Sequence, residues 1–83
     1  MDLFTRLERI PLEISQVERE KNQCQERLGL FWEHMPALDE GVVAEIMHQL
    51  EDRIRSLENR KRSLLEEQQA LLVRAVTLAA RGD

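Results

Sequence analysis

The sequence has little of what β-sheets, tight turns and disulfide frameworks are made from. Its 83 residues include one cysteine, two prolines, three glycines, no tyrosine and only 4% aromatic side chains. The single cysteine, Cys24, cannot form an internal disulfide, which excludes a small oxidised secreted scaffold. A low content of aromatic residues disfavours sheets, whereas a content of 34% charged residues is typical of long helices. The composition predicts an all-α fold, and the length allows one domain, residues 1–83.

The sequence also lacks a long hydrophobic run and an excess of positive charge. The longest mainly apolar stretches, residues 70–73 and 75–80, are separated by Arg74 and fall well short of the ~20 residues that cross a bilayer. The first residues turn polar at once, unlike a signal peptide. We therefore expect a soluble, cytoplasmic protein without membrane insertion. The formal net charge of −4 argues against nucleic acid as the main partner.

Apolar residues recur in a heptad pattern in both halves of the chain. Their alternating steps of four and three residues predict the a and d positions of a coiled-coil seam. The first seam consists of Leu3, Leu7, Ile10, Ile14, Val17, Lys21, Cys24, Leu28, Phe31 and Met35. The second consists of Val43, Met47, Leu50, Ile54, Leu57, Lys61, Leu64, Gln68, Leu71, Ala75 and Leu78.

The segment between the two seams carries turn signals. Pro36 disfavours helix at Met35, and Asp39 is a good N-cap for a second helix. The sequence predicts a helix over about residues 3–34, a turn over 35–40 and a helix over about 41–80. Because a proline removes a backbone hydrogen bond, Pro11 predicts a kink or a restart of the helix near residue 11.

The two seams match as an antiparallel hairpin. If Met35 faces Val43 across the turn, each further residue of the first seam faces one of the second, as far as Leu3 opposite Ala75, and only Leu78 extends beyond this match. This match favours a hairpin, although a domain-swapped or parallel zipper dimer would use the same residues. An extended dimer would place Lys61 against its own copy, which makes the hairpin the better interpretation.

Polar residues interrupt the middle of the predicted seam. They are Lys21, Lys61 and Gln68, and Glu18 and Glu58 flank them. Because a lysine stem lies on apolar surface while its ammonium reaches a carboxylate, we interpret this cluster as a device that fixes the register. The alternative is a buried cationic pocket for a small anion.

A wider apolar stripe near the chain termini predicts a contact with another helix. A two-helix hairpin buries one stripe of each helix and is marginal alone, whereas this stripe suits a three- or four-helix bundle. The residues expected to bind a second copy or a helical partner are Phe4, Leu12, Leu65, Leu72, Val73, Val76 and Ala79, with Pro11 beside them. The position of Trp32 near the turn is equally compatible with a packing residue and with an interface anchor.

The sequence contains few combinations of residues that could catalyse a reaction or bind a metal. Its only histidines are His34 and His48, and no serine, histidine and acid share a helix face. Glu45 and His48 have the spacing found in carboxylate-bridged metal bundles, but a second such motif is lacking. We therefore expect no enzymatic activity, no cofactor and no metal, and Cys24 as a seam residue.

Three hypotheses follow. The leading one is a non-catalytic protein–protein interaction module, namely a small adaptor, assembly subunit or chaperone-like protein that binds a helical partner or itself. The first alternative is a dimeric nucleic-acid regulator that uses a basic face of Arg53, Arg55, Arg60 and Arg62. The second is an all-helical enzyme of the chorismate mutase type, in which Lys21, Lys61 and Gln68 hold a dicarboxylate.

Overall fold

The computed structural model describes residues 2–82, which form two long helices joined by a short turn. Helix α1 spans Leu3–Glu33 and helix α2 spans Glu40–Arg81. The helices pack against each other along their length, and the molecule measures 67 × 19 × 15 Å. This length is close to that of α2 alone at ~1.5 Å per residue. The predicted all-α helical hairpin is confirmed, and no strand occurs between residues 2 and 82.

Aspartates begin both helices. The Thr5 amide donates to Asp2 Oδ1 over 2.8 Å, and the Gly41 amide donates to Asp39 Oδ1 over 2.7 Å. Each carboxylate thus satisfies one of the amides that lack a partner in the first turn of a helix. Helix α1 ends before Pro36, where the His34 amide still donates to the Leu30 carbonyl over 2.8 Å. The helix bounds lie within one residue of those that the sequence predicts.

Helix α1 continues through Pro11 without a break. The proline side chain is exposed, whereas the preceding residue, Ile10, is completely buried. The first turns of α1 therefore pack on α2 through the same seam as the rest of the helix. The helix does not restart at Pro11, and the kink expected there stays a prediction.

The buried core is a single row of side chains between the helices. Between residues 2 and 82, the six buried residues all occupy d positions of the two heptad seams: Ile10, Val17, Val43, Leu50, Leu57 and Leu64. Four of them form one continuous cluster, against which Ile14, Cys24 and Leu71 pack. The core is thus narrow, because two helices present only one stripe each to one another.

The seam is open at both ends. Met35 is 62% exposed because α1 ends at Glu33 and leaves Met35 in the turn. Leu78 is 48% exposed because the predicted register ends at Leu3 and Ala75, so that the last turn of α2 extends beyond α1. These two positions depart from the seam burial that the heptad pattern predicts.

Replacing Gly29 with alanine is expected to stabilise the hairpin. A Cβ built at Gly29, inside α1, meets no atom within 4 Å. Since alanine is favoured over glycine in a helix interior, we expect the free energy of unfolding to rise by about 0.5–1 kcal/mol. The measurement is urea unfolding followed by far-ultraviolet circular dichroism.

The matched control is Gly82→Ala at the C-cap of α2. There a Cβ would lie 3.2 Å from the Leu78 carbonyl oxygen, so that no gain is expected. A loss of stability in Gly29→Ala would contradict the open space seen at this position.

Candidate protein-binding surface

Ion pairs between the helices bridge one long side of the hairpin, which we call the ion-pair side. Arg6 Nε and Nη2 donate to the two carboxylate oxygens of Glu67 over 2.6 and 2.7 Å, and Arg6 Nη1 lies 2.9 Å from Glu13. Further along, Arg53 Nη2 donates to Glu20 over 2.7 Å. Paired forks of this kind hold planar groups in a fixed geometry. Contacts within the chain therefore bridge the ion-pair side at two places, near Arg6 and near Arg53.

On the opposite side, two seam lysines reach glutamates of the other helix. Lys61 Nζ lies 2.6 Å from Glu18 Oε1, and Lys21 Nζ lies 4.0 Å from Glu58 Oε1. Each glutamate directly follows the d residue that faces the lysine in the predicted register. Both ammonium groups thus have a carboxylate partner within the chain. The lysines lie as the register interpretation expects, and their role in setting the register stays a prediction.

The side that carries Glu18 and Glu58 becomes apolar toward the chain termini. Phe4 and Pro11 precede Glu18 by two heptads and one heptad, and Leu65 and Leu72 follow Glu58 by one and two. Because seven residues bring a helix back to nearly the same face, all of these residues lie on the side of the lysine pairs. Both helices therefore contribute apolar side chains to one surface, opposite the Arg6–Glu67 pair.

We call this surface the open-end face. It comprises Phe4, Pro11, Leu12, Leu65, Leu72, Val73, Val76 and Ala79, all of them exposed. Six of its large side chains are between 44% and 72% exposed. Leu72, Val73 and Val76 line one shallow groove, which adjoins a second beside Leu65. Exposed apolar residues concentrated at one end of a molecule in this way are typical of an interaction site.

A second apolar surface lies at the turn. Trp32 is 69% exposed, so it does not belong to the buried core of the hairpin. It lines a groove of about 310 Å³, which we call the turn-end groove. The other lining residues are Met35, Leu38, Glu40, Val43, Ala44 and Met47.

The remaining candidate residues do not form a site together. His34, Glu45 and His48 are exposed, and between residues 2 and 82 no group of three or more histidine, cysteine or acidic residues is arranged to hold a metal. Cys24 is a half-buried free thiol that packs against the core. Gln68 is half-buried in the seam.

The basic face is partly neutralised by neighbouring acids. Arg53 is paired with Glu20, and Arg55 Nη1 lies 3.3 Å from Asp52. Arg60 and Arg62 are exposed. In the same described part of the chain, neither helix combines the length and apolarity needed to cross a membrane.

Comparisons with protein-family models, curated proteins and solved structures found no match to this chain. The functional interpretation therefore depends on the surface of the hairpin.

The sequence analysis missed two features of this surface. In the Arg6–Glu67 and Glu20–Arg53 pairs, each residue stands directly before an a position of the heptad pattern. Opposite charges at these positions in the two helices would have predicted both pairs from the sequence. The turn-end groove had a weaker signal. Its residues come from the end of α1, the turn and the start of α2, and no single periodicity connects them.

Acidification is expected to destabilise the hairpin through Glu18 and Glu67. Hydrogen bonds from Lys61 and Arg6 lower the pKa of these carboxyl groups below the ordinary value of 4.5. Between the ordinary and the lowered pKa, the unfolded chain binds more protons than the folded chain. Stability is therefore lost as the pH falls from about 4.5 through the lowered values.

The measurement is urea unfolding at a series of pH values. The Glu18→Gln/Glu67→Gln variant should show a flatter acid dependence than the wild type, whereas Glu66→Gln, which changes an exposed acid, should keep the wild-type slope. Equal slopes in all three proteins would contradict this assignment.

Proposed function

We propose that this chain is a non-catalytic protein–protein interaction module that binds helices through the open-end face. One observation carries the proposal: apolar residues of both helices are exposed on the same side of the hairpin, whereas ion pairs occupy the opposite side. Binding is thereby directed to one side. The apolar patch belongs to both helices at once, as expected for a groove that receives a further helix.

The mechanism is helix-in-groove packing. Phe4 from α1 and Leu65, Leu72 and Val76 from α2 serve as anchors. Since each is about half exposed or more, its complete burial would contribute on the order of 1 kcal/mol. One helix from a partner completes a three-helix bundle, and a second copy of the chain completes a four-helix bundle.

The small core supports the same proposal. Six buried residues in one row stabilise a hairpin of this length only marginally, and burial of the open-end face would widen the core. We therefore assign the chain to the coiled-coil adaptors, assembly subunits or chaperone-like proteins that act as part of a larger assembly. The proposal includes a cytoplasmic location and binding to a helical protein or a homodimer.

The two alternatives, a nucleic-acid regulator and an enzyme, have less support from the structure. A nucleic-acid regulator would need the basic face, but Arg53 and Arg55 have acidic partners within the chain. An enzyme that holds a dicarboxylate would need Lys21 and Lys61, whose ammonium groups lie beside Glu58 and Glu18.

Truncation of two anchors is expected to weaken assembly. In Leu65→Ala/Leu72→Ala, the affinity of the chain for a second copy or for a helical partner should fall at least tenfold, since anchors of this kind contribute about 1–2 kcal/mol each. The measurement is light-scattering mass over a dilution series, with circular dichroism on the same samples.

The control is Leu30→Ala/Val42→Ala, which truncates two exposed apolar residues outside the open-end face. It should retain wild-type assembly. If Leu65→Ala/Leu72→Ala leaves both the mass and partner binding unchanged, the assignment of this face is wrong.

A further inference from the structure

The turn end of the hairpin is acidic. Residues 28–50 contain no lysine or arginine, whereas they contain Glu33, Asp39, Glu40 and Glu45. All four acids are exposed. The open-end face, in contrast, has arginines near it, among them Arg62 beside Leu65. A concentration of one charge around an apolar groove favours a ligand of the opposite charge.

The turn-end groove at this acidic end is apolar and adaptable. Trp32, Met35, Leu38 and Met47 line it, and Glu40 lies among them. Methionine side chains adapt to ligands of different shape, and an exposed tryptophan is a frequent anchor of interfaces. The volume of about 310 Å³ is at the lower limit of pockets that enclose small molecules. The groove therefore suits a side chain of a larger partner better than a free metabolite.

The negative charge of Glu33 is unfavourable at its position in α1. It is the last residue of α1, and the last turn of this helix contains no basic residue. A negative charge at a helix C-terminus is unfavourable because the dipole is negative there. Asp39 and Glu40 differ, since they begin α2, where an acid is favourable. Residues that contradict a local rule are concentrated at functional sites.

We propose that the turn-end groove is a second docking site, which binds a basic amphipathic segment of a partner protein. A bulky apolar side chain of the segment enters the groove, and its lysines or arginines face the acids around it. A second copy of this chain fits the groove poorly, because a twofold contact would bring the same four acids of both copies together.

This site goes beyond the proposed function and does not depend on it. The open-end face and the turn-end groove lie at opposite ends of a molecule 67 Å long. One hairpin therefore has room to bind two different segments at once.

The chain has a built-in reporter for the test. Trp32 is the only tryptophan, so its emission reports on the groove alone. The probe is a synthetic tryptophan-free peptide with leucines at i, i+3, i+4 and i+7 and lysines elsewhere. We expect saturable binding to the full chain with a blue shift of Trp32 emission, and a lower affinity at higher salt. Two control peptides carry glutamates in place of the lysines, or the same residues in scrambled order.

Three variants separate charge from shape. Glu33→Gln/Glu40→Gln should weaken binding of the lysine peptide about tenfold, as expected for two exposed charge contacts. Glu8→Gln/Glu66→Gln changes the charge equally at the other end and should bind as the wild type does. Leu38→Ser, in the turn, should also weaken binding while the circular dichroism of the free chain stays unchanged.

Three results would overturn the proposal. They are equal binding of the lysine peptide and either control peptide, equal binding by the two glutamine variants, and a Trp32 emission that shifts to the red when the free chain is diluted. The last result would mean that a second copy covers the groove. Leu65→Ala/Leu72→Ala should still bind the peptide, so failure of the open-end face and failure of this site are distinguishable.

Discussion

The structure depends on one constraint: two helices can bury only one stripe of each against the other. Between residues 2 and 82, the six buried residues all occupy d positions, and the cluster of Ile10, Val17, Leu57 and Leu64 is only one side chain wide. The seam residues packed against this cluster, such as Ile14 and Leu71, are partly buried. A hairpin with such a core is only marginally stable. Its large exposed apolar residues are concentrated at its two ends. The ends are therefore where further apolar surface can be buried.

Charged residues decide which side of the hairpin is free. Arg6 with Glu67 and Arg53 with Glu20 join the helices on one side, and both pairs are short. The opposite side has the lysine pairs only at its centre, where Lys61 meets Glu18. Beyond them this side becomes apolar. This side thus has charged residues in the middle and exposed apolar residues toward the chain termini, and the partner helix that we propose would be restricted to it.

The two ends of the hairpin differ in charge. Near the chain termini, exposed apolar residues lie beside residues of both signs, such as Arg62 and Glu66 next to Leu65. Near the turn, Glu40 is the one acid among the described residues that lines the groove of Trp32, and residues 28–50 contain no lysine or arginine. The adaptor role that we propose follows from this difference, since the segments bound at the two ends need not resemble each other.

The sequence by itself determined the helices, the turn and the seam. Heptad periodicity, Pro36 and Asp39 are local signals, and each acts within a few residues of its own position, so that they are readable without a structure. Even the pairing of Lys61 with Glu18 follows from the register. The tertiary structure alone decided that Met35 leaves the seam and that Trp32 is exposed beside a groove. These outcomes depend on where α1 stops and on which side chains from distant parts of the chain meet in space, and the free energy of such contacts between helices is not encoded in the periodicity of either helix.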